Sequence, residues 1–273
     1  MQELALPPAP AGNLYVERSR CQPAAPRSRA TPISVGWARD EVEVREAQRL
    51  RHRVFVEEMG ARLCTPPGAP VGHDIDMFDP HCEHLVVRSL DTVHQTDEVI
   101  GTYRVLTPQA AERLGGWYSE TEFDLTRLRP LLSHTAELGR SCVHAAHRQG
   151  GVILSLWGAL GGFMQRNGLD TMIGCASISM RDGGHMAASL WESLRHTHLA
   201  PIEHQVHPRL PLPVDDLRRD LAVEAPALIK GYLRCGAKVL GPPAWDPDFN
   251  TADLPLMLRL ADLPAKYRRH FLG

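Results

Sequence analysis

One ionisable carboxylate, Glu137, sits in an otherwise apolar or small-residue stretch, ELGRSCV, and Arg148-Gln149-Gly150-Gly151 follows a short way downstream, just before an apolar run. This order reads as a strand, a glycine turn and a helix. Glycines let the backbone approach a ligand closely, and the first N–H groups of a helix point at it with the dipole behind them. The chemistry suggested is a carrier with a phosphate-bearing arm held beside a carboxylate that can take a proton. The competing reading of Glu137 is a buried structural carboxylate paired with an arginine, because ion-pair networks also perturb carboxylates.

Regular strand alternation puts Glu137, Gly139 and Ser141 on one face and Arg140 on the other. For Glu137 and Arg140 to serve one site the strand must bulge within 138–141, and Gly139 is the natural place. A second constellation is Asp74, Asp76 and Asp79 in the loop HDIDMFDP. DIDMFD lacks the glycine and the distant glutamate of an EF-hand. Three readings stand: solvated acids, a pocket for a cationic amino acid, or latches paired with Arg53, Arg104 and Arg140. Cys64, His73, His81, Cys82 and His84 match no common zinc spacing, so no metal is expected. Cys142 and His144 lie two apart on a strand, which does not make a nucleophile–base pair, and Cys142 reads as core.

The elements that must position these groups follow from pattern. Residues 1–31 are rich in Pro, Ala and Arg without periodicity and are expected to be a disordered lead-in, leaving 32–273 as one domain. ISVGWAR is a first strand. Asp40 caps a helix running to about Gly60, with Val44, Ala47, Leu50, Val54 and Met59 near helical spacing. Residues 60–83 are a long loop, and strands at 84–90 and 98–106 form a hairpin. A short helix at 108–114 ends at Gly115-Gly116. Thr135–Val143 is the central strand, 150–166 the apolar helix closed by Asn167-Gly168, and LDTMIGCASI a buried parallel neighbour. A helix at 183–196, another ending at Gly236 and a last strand at 253–260 complete an α/β order.

Composition narrows the function classes. The 273 residues are 43% hydrophobic and 23% charged with formal net charge −2, which fits a globular protein and argues against a nucleic-acid binder. Six scattered cysteines with no CxxC suit a reducing compartment. The N-terminus lacks a basic and then apolar leader, and the run from Val152 to Met164 falls short of the ~20 apolar residues of a membrane span. A cytoplasmic location is expected, and peripheral contact with the inner face of the membrane stays open.

RHRVFVEEMGA, HDIDMFDPHCEHL, VIGTYRVL, YSETEFDL, ELGRSCV, IGCAS, KGYLRCGAKV and PPAWDPDFNTADL, in this order over about 33–260, resemble the blocks of the ornithine–acyl-carrier-protein N-acyltransferases, sometimes labelled hemolysin-like, of the GNAT superfamily. They are also similar to the acyl-homoserine-lactone synthases. The resemblance implies a mixed, mostly antiparallel sheet splayed by a bulge and flanked by helices. It implies transfer of a (3-hydroxy)acyl chain from acyl carrier protein to the α-amine of L-ornithine, with the phosphopantetheine thioester as co-substrate and no tightly bound cofactor. Glu137 and Arg140 would be catalytic. Arg53, Phe55, Asp74, Asp76, Asp79, Arg104, Ser141 and Cys142 would bind substrate, and Val143, Arg148, Gln149, Gly150 and Gly151 the donor arm. The phosphate loop departs from the usual alternation of Arg/Gln with Gly. Other N-acyl amino-acid or homoserine-lactone-type synthases, and a non-enzymatic membrane-active protein, are the alternatives.

Overall fold

The computed structural model describes residues 32–63, 65–91, 96–148 and 151–272. The expected lead-in at 1–31 lies outside them, as do Gln149 and Gly150. The strands are β1 (Ile33–Trp37), β2 (Glu83–Asp91), β3 (Thr96–Leu106), β4 (Phe123–Asp124), β5 (Thr135–Val143), β6 (Thr171–Ser179), β7 (His207–Pro208), β8 (Lys238–Val239), β9 (Ala244–Asp246) and β10 (Thr251–Arg259). The α-helices are α1 (Glu41–His52), α2 (Pro108–Leu114), α3 (Arg129–Leu132), α4 (Gly151–Arg166), α5 (His185–Thr197), α6 (Ala227–Arg234) and α7 (Ala265–Phe271).

The main sheet runs β1-β2-β3-β5-β6-β10-β8, with β9 on β10, while β4 and β7 form a separate ribbon. Every pairing in the main sheet is antiparallel except β5 with β6. That parallel pairing covers only Thr135↔Thr171 to Glu137↔Ile173. Beyond Glu137 the two strands part, so the expected parallel neighbour is parallel over its first residues only. Gly174 marks the last close approach: a Cβ there would lie 2.3 Å from the Leu138 carbonyl oxygen.

Alternation sorts the core. Leu85, Val87 and Val105 turn to one face, joined by Ile100, the extra residue in β3 opposite Val87 and Arg88, and pack with Leu156, Leu160 and Met164 of α4. Val86, Val99 and Cys142 turn to the other and pack with Ala47, Leu50, Val54 and Phe55. A fully buried side chain of this kind contributes ~1.5–3 kcal/mol relative to exposure. Asp40 caps α1 by accepting from the Glu43 N–H. The expected single helix to Gly60 instead passes into a π-helical turn at Arg53–Glu58. No helix among the described residues is long and apolar enough to cross a membrane.

Candidate active site

The bulge lies where alternation required it. Thr102 pairs with Cys142 but Arg104 with Gly139, so β5 carries one extra residue between Gly139 and Cys142. The residue that absorbs it is Arg140, with φ of 51°, not Gly139. A non-glycine residue in the left-handed region is strained and persists only where its surroundings hold it. Arg140 is held. Its Nε lies 3.3 Å from Asp74 Oδ2, its Nη2 lies 3.1 Å from Asp76 Oδ2, and its guanidinium stacks over the rings of Tyr118 and Phe249 at 5.0 and 4.7 Å.

Those contacts belong to a buried network of three arginines and three aspartates. Arg104 Nη1 is 2.7 Å from both Asp76 oxygens and 3.3 Å from Asp79 Oδ1. Arg51, with no exposed surface, places Nε 2.8 Å from Asp74 Oδ2 and Nη2 2.6 Å from Asp79 Oδ2. Burial alone would raise the Asp79 pKa, but Arg51 and Arg104 outweigh it and hold Asp79 at about 2. Arg104 and Arg140 likewise hold Asp76 below its usual value against burial. The acidic loop is therefore a set of latches, neutralised from within. A pocket for a substrate cation would need uncommitted carboxylates.

Arg53 stands outside this network. It lies on the surface with Nη1 3.1 Å from Glu98 Oε1, and Arg51 occupies the position that its neighbour was expected to fill. The signal was available: Ala47, Leu50, Arg51, Val54 and Phe55 share one buried stripe, so Arg51 is a charge in phase with apolar residues.

Glu137 is 3% exposed, and the backbone N–H groups of Tyr118 and Ser119 donate to its two oxygens at 2.7 and 2.6 Å. Burial raises its pKa, and these donors partly offset the rise. It lines a cavity of about 790 Å³ that opens where β5 and β6 part. Gly139, Arg140, Ser141, Cys142, Val143 and Phe55 border the same space. Burial pushes the Cys142 thiol up to about 12, so it contributes a wall and not a nucleophile. Further in, the lining turns apolar with Ile153, Trp157 and Leu160 of α4, then Leu260, Leu263 and Phe271. The end of α7 closes against α4, where a Cβ on Gly161 would meet the Phe271 carbonyl oxygen at 2.5 Å.

At the other end, Arg148 Nη2 pairs with Glu58 Oε2 at 2.5 Å and its Nε donates to the Val143 carbonyl at 2.9 Å. Gly151 opens α4. Arg148 and Arg181 both line this cavity.

A second acidic group was missed in the sequence. Glu122, Asp246 and Asp253 bring carboxylate oxygens within 4.8 Å of one another. Burial and then the neighbouring carboxylates raise Glu122 to about 9 and Asp253 to about 6. Asp253 carried the same signal as Glu137: a lone acid in a central strand, TADLPLML, whose other residues up to Met257 are buried.

Comparison with known proteins places this geometry. The acetyltransferase (GNAT) domain model matches residues 50–158. The chain is 36% identical over 258 residues to the L-ornithine N(alpha)-acyltransferase of Rhodobacter capsulatus, covering 89% of this chain and 96% of that one. It is 34% identical over 275 residues to the protein of the same name from Rhizobium meliloti, covering 95% and 91%. Among solved structures, an N-acyl amino acid synthase from uncultured soil microbes superposes with a TM-score of 0.50 at 10% identity, over 88% of this chain and 99% of that one, a likeness of fold.

Proposed function

Because the chain belongs to the L-ornithine N(alpha)-acyltransferase family, we propose that it moves a (3-hydroxy)acyl chain from the phosphopantetheine thioester of acyl carrier protein to the α-amine of L-ornithine, giving lyso-ornithine lipid. The observation that carries the reading is the cavity at the β5–β6 fork, which joins a buried carboxylate and a strand bulge to a long apolar end. An amine, a thioester and an aliphatic chain each find a matching environment along it.

In this reaction the amine nitrogen attacks the thioester carbonyl carbon, a C–N bond forms and an oxyanion develops. Collapse breaks the C–S bond, and the departing thiolate takes a proton. Glu137 is the base, acting through a water because both its oxygens already accept backbone N–H groups. Burial raises its pKa toward the range in which a carboxylate can take a proton. The bulge frees a backbone group of β5 from the ladder to face the developing oxyanion. Arg140 is a positioning residue: its side chain, clamped by Asp74, Asp76 and two rings, fixes the backbone that carries this donor. The thioester supplies the driving force, so the step calls for no tightly held cofactor. Arg148 and the start of α4 would meet the carrier's phosphate.

The test is mass spectrometry of the purified full-length chain with acyl-acyl-carrier-protein, acyl-coenzyme A and a panel of amino acids. The expected product is an amide at the α-nitrogen of ornithine, and Glu137→Gln should lower its rate ~10²–10⁴-fold. No amide from any donor with any amino acid would sink the proposal.

A further inference from the structure

We propose that Glu122, Asp246 and Asp253 form the subsite that receives the side-chain ammonium of the acceptor amino acid, and so select a diamino acid over one with an apolar side chain. This rests on the acyltransfer reading above and names the part of the cavity that chooses the amine.

Three observations meet here. The first is placement. Asp246 and Asp253 line the same cavity as Glu137, and the two regions are joined through Ser119, whose N–H donates to Glu137 and whose hydroxyl lies 3.6 Å from Cys175 Sγ. The second is an unmet need. Both carboxylate oxygens of Glu122 are sealed from solvent and make no hydrogen bond of ordinary length; only longer contacts with Tyr118, Cys175 and Asp253 reach that carboxylate, and one of its oxygens belongs to the group. Asp253 is 4% exposed, and its Oδ1 accepts from Thr251 Oγ1 at 2.8 Å. Asp246 Oδ1 accepts only backbone N–H groups, from Asp248 and Phe249. Among the described residues no basic side chain pairs with any of the three, and Arg140, which attracts Asp246 at a distance, is committed to Asp74 and Asp76. Buried carboxylates without a cation are costly.

The third is geometry. An ammonium has three donors at tetrahedral angles, and with N–H···O distances of ~2.8 Å it spreads its acceptors to about 4.6 Å apart. Each acid offers one oxygen within 4.8 Å of the other two, so a single ammonium can reach all three. A magnesium ion, with ligands at about 2.0–2.1 Å, would draw neighbouring oxygens to roughly 3 Å and would require further ligands. The high proton affinities of Glu122 and Asp253 describe the same deficit, because an entering ammonium would take the place of protons.

The experiment compares L-ornithine with L-norvaline, which has the same carbon chain without the terminal amine, on the full-length wild type and on Asp253→Asn and Glu122→Gln. The expected result is a fall of tenfold or more in the ornithine-to-norvaline ratio of kcat/KM, carried by KM for ornithine. A ratio unchanged in both folded variants would overturn the proposal. So would wild-type activity that EDTA abolishes and magnesium or calcium restores in a triad-dependent way, since that marks a metal site. Asp246→Asn, at a more exposed position, reads the same ratio if a buried variant fails to fold. If the wild type acylates no amino acid, the acyltransfer reading fails, and calorimetry decides the subsite separately. Tighter binding of ornithine than norvaline, erased by Asp253→Asn, supports it; equal binding overturns it.

Discussion

Two acidic groups flank the fork between β5 and β6, and they are opposites in electrostatic state. Asp74, Asp76 and Asp79 face Arg51, Arg104 and Arg140, three anions against three cations at 2.6–3.3 Å. Asp79 is thereby held at about 2. Glu122, Asp246 and Asp253 face one another, and burial with mutual repulsion lifts Glu122 to about 9. The same residue type thus serves two ends: charge neutralised within the fold builds a scaffold, and charge left without a partner in the fold creates affinity for something that enters. The first group fixes Arg140 in its strained bulge. The second is costly to the free protein.

The largest expected effect breaks the neutralised group. Asp79→Ala leaves Arg51 buried with half of its partners and removes one of the carboxylates on Arg104, and loss of one partner of a buried pair costs ~3–5 kcal/mol. Chemical denaturation at neutral pH measures it. A cost below about 1 kcal/mol would mean that the network is not a scaffold. The pH sign follows from the lowered pKa: the stabilisation from Asp79 is present above its usual 3.8 and fades as pH falls toward 2.

Glu122→Gln tests the other side and should have the opposite sign. The folded pKa of Glu122 is raised from 4.5 to about 9, so its contribution is most favourable below 4.5 and is lost as pH rises through that window. Gln carries no such dependence. The variant should therefore match wild type near pH 4.5 and become the more stable by on the order of 1–3 kcal/mol toward pH 8–9, the usual penalty for a buried unmet polar group. Thermal melts across that range check it, and a variant less stable at every pH would mean that Glu122 is already paid for by contacts in the fold.

This contrast also explains what the sequence could and could not disclose. Local pattern located α2, β5 and the hairpin closely, because capping, alternation and glycine stops are local signals. The need for a bulge was legible too, since Glu137 and Arg140 could not otherwise share a site. Which residue would carry the left-handed turn was not, because the clamp on Arg140 comes from Asp74, Asp76, Tyr118 and Phe249, all distant in sequence. The role of the acidic loop turned on the same kind of fact: nothing in HDIDMFD says that three arginines, one of them a helix away at Arg51, will close on it. Glu122, Asp246 and Asp253 sit in three separate segments, so only tertiary packing makes them a group.

The smallest effect is expected at Arg53, and it sharpens the comparison by isolating the charge that burial makes important. Arg51 and Arg53 are two residues apart, with the same side chain, at the passage from α1 into its π-helical turn. Helical geometry turns Arg51 inward with Leu50 and Val54, where its ion pairs are sealed from water and salt. It turns Arg53 out to an exposed pair with Glu98, which water and counterions screen. Arg53→Ala should therefore change stability by no more than ~0.5 kcal/mol and leave the KM for ornithine within twofold of wild type, whereas Arg51→Ala should behave like Asp79→Ala. Parallel denaturation curves of the two alanine variants decide this. Equal losses would mean that position relative to the helix stripe, and with it the division between a neutralised scaffold and a surface pair, does not govern these charges.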